Sequence, residues 1–483
     1  MMASFNSSPA DIIYPTHMID NISVVKSLVM AWTMRFNDVL DADKLHHALS
    51  DLLQIGDWKK LGGRLRVGNN PKGALEIHVP STFTKDKPAV SFSHASYDIG
   101  IGEHKQAKLL PKATLRPSVH PSMAHELAIP PGAPKSLKDF TSREVPMLSL
   151  HIVSFQDATL VTISWPHVLF DAVGFSHLVE AWSSVLAGRK ESVPSLIGAR
   201  TDVLYDIGHL SQASHHYLSS ESRILSGRAL LWFIIGFIWT ILVNPTVESR
   251  VICIPKDAVE RLHRRVLDDI QDRKDGVDDP WVSPSDAILA WLSRTAFDSA
   301  SHPISMTTPI DARTRLSHLK DAKGVYIQNM ILGSFVSLSP RTLKESLGYQ
   351  ALESRQGMLN QMEETNLVGI LQLFRKRWES GKSRAPIFAA PGSVILTTNS
   401  RLKVDLFTKA NFSPAVLRAD NSQARNNPLG TPVYHYAATI NPSIAFRNFV
   451  NIHTKDPGGN YWLTGFFTPR QWSKIETSFE KLL

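Results

Sequence analysis

Residues 150–186 carry the pattern that most narrows the fold of this chain. A β-rich run, Leu150-His151-Ile152-Val153-Ser154-Phe155, precedes a second, Leu160-Val161-Thr162-Ile163-Ser164. Their density of β-branched and aromatic residues predicts strands. Trp165-Pro166-His167-Val168-Leu169-Phe170-Asp171-Ala172-Val173-Gly174 follows, and a helical pattern runs from Phe175 to Leu186. Pro166 stops the ladder at the strand end, and Gly174 allows a tight turn before the helix. A histidine at a strand exit, with an aspartate four residues on, suits a positioned base with a structural carboxylate nearby. That points to an enzyme that moves an acyl group. The spacing alone is weak, because a chain of 483 residues with 19 His holds about one His-x-x-x-Asp by chance. A strand end with a solvated His and Asp is the plainer reading, and only the flanking pattern weighs against it.

Length and composition set the frame. The chain is long enough for two domains, and 43% hydrophobic residues with 20% charged describe a folded globular protein. A net charge of +8 favours anionic partners: a phosphorylated cofactor, a membrane surface or nucleic acid. The basic residues are dispersed, so nucleic acid ranks last and is not expected as a partner. Ordinary solubilising charge accounts for the excess equally well. Cys253 is the single cysteine, which leaves no internal disulfide and no Cys-based metal site. It suits a reducing compartment, and its apolar neighbours Val251, Ile252 and Ile254 suggest an inert buried thiol. Residues 1–16 lack a basic start with an apolar core, so no secretory signal is visible. Lys481-Leu482-Leu483 is no recognised address. The expectation is a cytoplasmic protein.

Strand and helix patterns alternate in both halves, which predicts an α/β protein of two domains. We expect an N-terminal lobe over 1–188, a connector over 189–250 and a C-terminal lobe over 251–483. Asp41-Ala42-Asp43 opens a helix with Leu45, Leu49, Leu52 and Leu53 on one side, ending near Gly56. Trp58 to Arg66 leads into a strand. The Pro-rich segments 111–121 and 130–134 read as surface excursions. Within the connector, the stretch from Ala229 to Val243 carries no charge. As a helix it reaches about 22 Å, short of the ~30 Å hydrocarbon core. A helix buried between domains and an interfacial or re-entrant helix fit it equally, with a full span third. Its two tryptophans suit an interface. In the last lobe, 251–254 predicts a strand and 255–267 a helix with Val259, Leu262 and Val266 on one face. Ser283 is the N-cap of a further helix, with Asp286 in its first turn. Strands are expected near 305–309, 330–338, 394–397, 434–440, 450–453 and 461–463.

Several segments fall in one order: His167-x-x-x-Asp171, then Ser285-Asp286-Ala287-Ile288-Leu289-Ala290-Trp291, then Ile310-Asp311-Ala312-Arg313-Thr314-Arg315-Leu316, then Gly324-Val325-Tyr326-Ile327-Gln328-Asn329. With Tyr14-Pro15-Thr16-His17-Met18-Ile19-Asp20 and the 58–66 segment, they resemble the BAHD superfamily of acyl-CoA-dependent acyltransferases, in its fungal secondary-metabolite branch. The resemblance runs from about Tyr14 to Trp472. It implies two chloramphenicol-acetyltransferase-like α/β domains with a solvent channel between them. It implies His167 as general base, taking the proton of an acceptor hydroxyl while the oxygen attacks a thioester, with no covalent acyl-enzyme. Asp171 would point away from substrate and pair with Arg313, or second with Arg315, of the Asp-x-Arg motif. Asn329 matches a Gly-Asn position, which implies that it places loops near the channel; a turn or strand-end asparagine is the plainer reading. Thr397-Thr398 matches a pair lining the channel, where a hydroxyl could meet the developing oxyanion; two β-formers in a strand is the plainer reading.

The same resemblance implies acyl-CoA, acetyl-CoA foremost, as co-substrate, with no permanently bound cofactor, no metal and a monomeric enzyme. The acceptor would be a hydroxylated small molecule: a terpenoid, meroterpenoid, polyketide or indole alkaloid, in a channel lined by side chains such as Phe170 and Phe175. No CoA-binding residue is assigned. The chain departs from the family at Ala172, where a glycine follows the motif aspartate, and at Asn399, where a Trp follows the Thr pair. The family's Asp-Phe-Gly-Trp-Gly element survives only as Asn411-Phe412-Ser413-Pro414-Ala415. That loss motivates the alternative of a non-catalytic relative acting as a small-molecule binding module; retention of His167 and Asp171 opposes it. No Gly-x-Ser-x-Gly elbow marks a serine esterase. Pro166 replaces the first histidine of a peptide-forming condensation domain.

Overall fold

The two runs ahead of His167 form antiparallel neighbours, Ser149–Ser154 and Thr159–Pro166. Every residue of Thr159–Pro166 is buried, which is why the run shows little polar alternation. The computed structural model describes residues 11–69, 73–122, 125–210, 224–271, 280–297, 302–420, 425–442 and 446–482. In a five-stranded sheet the order is Tyr434–Thr439, Val29–Phe36, Thr159–Pro166, Ser149–Ser154, Ser91–Ser96. Helices Ala42–Leu52 and Ala172–Leu186 share its core, through Leu45, Leu49, Leu178 and Trp182. Asp41 caps the first helix by accepting the N–H of Lys44 at 2.9 Å.

A seven-stranded sheet runs Leu332–Leu338, Ile304–Ile310, Val394–Ser400, Phe449–Lys455, Tyr461–Phe467, Glu248–Ile254, Ser118–Pro121. Helices Lys256–Gln271, Pro284–Ala296 and Pro469–Ser478 contribute to its core. Ser283 caps Pro284–Ala296 with Asp286 in a reciprocal capping box, and Arg355 Nη1 bonds the same carboxylate at 2.9 Å. The Ser-Asp-Ala segment is thus spent on starting a helix.

The two sheets exchange strands. Tyr434–Thr439, late in the chain, lies antiparallel to Val29–Phe36, with Trp32 opposite Ala437. Ser118–Pro121, early in the chain, lies antiparallel to Glu248–Ile254, with His120 opposite Val251. The segment 111–121 is therefore not wholly a surface excursion: its end is an edge strand, where prolines are tolerated. Between the sheets Tyr434 and Tyr436 meet Val251, Cys253 and Trp462. Cys253 is fully buried.

Three expectations are corrected. Phe170 and Phe175 line no channel; both are fully buried, Phe175 stacking on Trp32 at 4.7 Å and on Trp165 at 5.0 Å. Gly174 forms no turn, for it lies within the first turn of Ala172–Leu186. Its missing side chain matters for another reason: a Cβ there would run into the Ile327 carbonyl oxygen. The stretch from Ala229 to Val243 is not buried between domains. It forms the helix Gly227–Val243 with no buried residue, and Trp232 and Trp239 are each 66% exposed. Arg447 ties its end to the body, donating to the carbonyls of Thr240 and Asn244 at 3.2 and 3.3 Å. Among the described residues no helix is long and apolar enough to cross a membrane.

Candidate active site

His167 is the first residue past Thr159–Pro166, and its main chain is held from two sides. Its N–H donates to Leu28 O at 2.9 Å, and its carbonyl accepts from Asn329 Nδ2 at 2.7 Å. The ring is half-buried. Nδ1 is buried with no hydrogen-bond partner, so the accessible edge of the ring is the Nε2 edge. Burial pulls the imidazole below its ordinary value of 6.5, and the charge of Arg401 pulls the same way; its own carbonyl, Asp171 and Asn329 pull against them without prevailing. The ring is therefore neutral at physiological pH.

Asp171 does not touch that ring. Its Oδ1 caps Ala172–Leu186, accepting the N–H groups of Val173 at 3.1 Å and Gly174 at 3.0 Å. Arg313 Nη2 lies 2.9 Å from both carboxylate oxygens, and Met330 N–H donates to Oδ2 at 3.0 Å. Burial pushes the carboxyl up, but Arg313 and the N–H donors outweigh it and hold it below the ordinary carboxylate value. Arg313 also donates to the carbonyls of Tyr326 and Gln328, each at 2.8 Å, and to Asp311 at 3.1 Å. Arg313, then, is the partner, and Arg315 takes no part in the pair.

Asn329 is fully buried and bridges two segments: besides His167 O, its Nδ2 donates to Asp20 Oδ1 at 2.8 Å. Asp20 was not singled out from the sequence. It is 1% exposed and also accepts the N–H of His17 at 2.8 Å. Burial pushes its carboxyl up to about 7, against the pull of Lys60, Asn329 and His17. The only signal for Asp20 was its place at the end of the Tyr14-to-Asp20 segment. The threonine pair is split. Thr398 is fully buried with its hydroxyl 2.6 Å from that of Thr308. Leu396, two residues before it on the same face, belongs to the helix-covered core. Thr397, half-buried, occupies the opposite face of the strand. Phe412 of the divergent late element is buried against Phe36 and Trp182, in the core of the five-stranded sheet. Among the described residues no three His, Cys, Asp or Glu side chains gather to hold a metal ion.

Removing one partner of a buried ion pair leaves the other charge uncompensated, at a cost of about 3–5 kcal/mol. Asp171→Ala is expected to lose stability of that order, read as a lowered urea midpoint. A variant as stable and as active as the wild type would remove the pair from this role.

No model of a known protein family matches the chain. Curated relatives do. Acetyltransferase pyiB of Pyricularia grisea is 34% identical over 96% of this chain and 93% of its own length. O-acetyltransferase PaAT-2 of Phomopsis amygdali is 33% identical over 98% of this chain and 99% of its own. Among solved structures, F. sporotrichioides TRI101 complexed with coenzyme A and T-2 superposes with a TM-score of 0.68 at 14% identity, over 96% of this chain and 97% of that one, and so shares the fold. Matched end to end by such relatives, this chain belongs to the BAHD superfamily, in its fungal secondary-metabolite branch, and is an O-acyltransferase.

Proposed function

We propose that His167 is the general base of this O-acyltransferase and that the transfer is direct, from acetyl-CoA to a hydroxyl of a fungal secondary metabolite. The state of the His167 ring carries the reading: Nδ1 is buried, the Nε2 edge is accessible, and the imidazole is neutral. The tautomer with its proton on the buried Nδ1 leaves the Nε2 lone pair for the acceptor. The acceptor O–H proton passes to Nε2 as its oxygen bonds to the thioester carbon. The tetrahedral intermediate then breaks its C–S bond, and His167 returns the proton to the departing CoA thiolate. Thr397, on the seam face, donates to the oxyanion. Asp171, Arg313 and Asn329 hold the loop and touch no reacting atom. In this reading the lobes 1–188 and 251–483 flank the channel, joined by 189–250, and the enzyme acts as a monomer. The acceptor is a terpenoid, meroterpenoid, polyketide or indole alkaloid, and the ester forms on its oxygen as the name of the relative O-acetyltransferase PaAT-2 has it for that protein.

The reading is tested by incubating purified protein with acetyl-CoA and a panel of such alcohols, following free thiol and the mass of the ester. His167→Ala is expected to lower turnover by about 10²–10⁴-fold; undiminished turnover refutes the assignment. The acid limb of kcat/KM against pH follows from the same ring. Because the neutral form acts and its pKa is lowered, activity persists as pH falls to 6.5 and is lost only below it. A midpoint at or above 6.5 contradicts the assignment.

The helix Gly227–Val243 supports a second element of the proposal: the enzyme works against the cytoplasmic face of a membrane. The helix exposes Leu231, Trp232, Ile235, Ile238, Trp239 and Leu242. Arg228 stands at its start, and no acidic residue occurs between Arg228 and Glu248. Its 17 residues span about 26 Å, which suits lying in the interface better than crossing. The wild type is expected to float with vesicles of phosphatidylcholine and phosphatidylserine, and Trp232→Ser/Trp239→Ser to stay behind. Equal flotation of the two proteins rules out the contact.

A further inference from the structure

A second polar cluster lies at the seam, near the histidine motif but outside it. At its centre is Arg401, one residue past Val394–Ser400, the strand that carries Thr397. Its main-chain N–H donates to Ile452 O at 2.9 Å, and its guanidinium lies over the Trp32 ring, 5.4 Å from the centroid. Nε and Nη1 of Arg401 are buried and have no hydrogen-bond partner. His435 and His453, each 1% exposed, stand close enough to feel its charge, and Asn451, 5% exposed, lies on the neighbouring strand opposite Asn399. His453 occupies a register shift between Ile452 and Thr454, the kind of irregularity that re-aims a side chain. Val450 and Ile452 point into the helix-covered core, so Asn451 between them points to the seam.

The hydrogen bonds fix what this cluster lacks. Trp32 Nε1–H donates to His435 Nδ1 at 3.2 Å. His435 is neutral, lowered to about 3 by burial and by Arg401. With Nδ1 accepting, its one ring proton sits on Nε2, and that buried N–H has no partner. Three donor nitrogens thus face no acceptor: two on Arg401 and one on His435. Asn451 Oδ1 and His453 Nδ1 are also buried and unpartnered, the other nitrogen of His453 lying 2.6 Å from the Thr464 hydroxyl. Arg401 stays charged at neutral pH, since burial lowers it only to about 10. Asp171 is the carboxylate that acts on it, and Asp171 is already engaged by Arg313. A buried cation with no counter-ion of its own among the described residues, and a surplus of donors, is built for an oxygen acceptor.

We propose that Arg401 and His435, with His453 and Asn451 beside them, recognise a second oxygen function of the acceptor, a carboxylate or a carbonyl, on the same molecule whose hydroxyl meets His167. This rests on His167 being the base. It makes the enzyme selective for oxygenated acceptors over plain alcohols of equal size.

The test needs no turnover, so it is separate from the test of His167. Binding of cyclohexanecarboxylate and of cyclohexanemethanol to the full-length protein is measured by calorimetry and thermal shift, alongside binding of CoA. The wild type is expected to prefer the carboxylate by about tenfold or more. Arg401→Met is expected to lose that preference while binding CoA as the wild type does. If Arg401→Met fails to fold, Arg401→Gln is read by the same criterion. Equal binding of the two probes by the wild type overturns the proposal, as does an unchanged preference in the variant. A variant that keeps the preference but loses CoA affinity overturns it too, by assigning the arginine to the CoA phosphates. Carboxylate binding by a protein that transfers no acetyl group would instead count against His167 alone.

Discussion

The Asp171 carboxylate is the joint on which the two halves of the molecule meet. It receives N–H groups from the start of Ala172–Leu186, a guanidinium from the Asp-x-Arg segment and a third main-chain donor at Met330. One side chain thereby starts a helix and fastens the segments on either side of the seam. The negative charge is favourable at the helix N-terminus, and Arg313 spends its own donors on carbonyls and carboxylates within reach. A buried ionic group costs least when every member is paired, and this one is. His167 profits without being touched. Four residues upstream of the joint, its main chain is gripped by Leu28 and Asn329, and the ring is left with one edge free.

The sequence displayed this joint because both partners sit in short, charged motifs on recognisable turns. The Asp-x-x-Lys start at Asp41 and the Ser-x-x-Asp box at Ser283 were legible for the same reason: a cap is a local event. The strand exchange was not. Nothing within 434–439 or 118–121 says which sheet will accept it, because the pairing partners lie more than a hundred residues away. Asp20 escaped for a related reason. A buried acid that acts through an asparagine three hundred residues later has no spacing to betray it. Gly174 was correctly marked but wrongly explained, since a close approach to Ile327 and a turn both ask for the same missing Cβ.

The threonine pair and the apolar helix show two further limits. Adjacent strand residues face opposite ways, so a paired motif on a strand assigns at most one hydroxyl to a site; which one depends on which face the helices cover. The helix Gly227–Val243 is apolar all round, a composition that suits a buried helix and a lipid-facing one equally. Composition cannot separate these, and only its placement outside both cores does.

The exchanged strand at 434–439 also bears on how the polypeptide comes into being. During synthesis Val29–Phe36 emerges about 400 residues before the neighbour that seals one of its sides. Over that interval the ladder presents unmet N–H and C=O groups, the template for unwanted pairing with other chains. The five-stranded sheet is therefore completed only after most strands of the seven-stranded sheet have been made, and the two sheets mature together rather than one after the other.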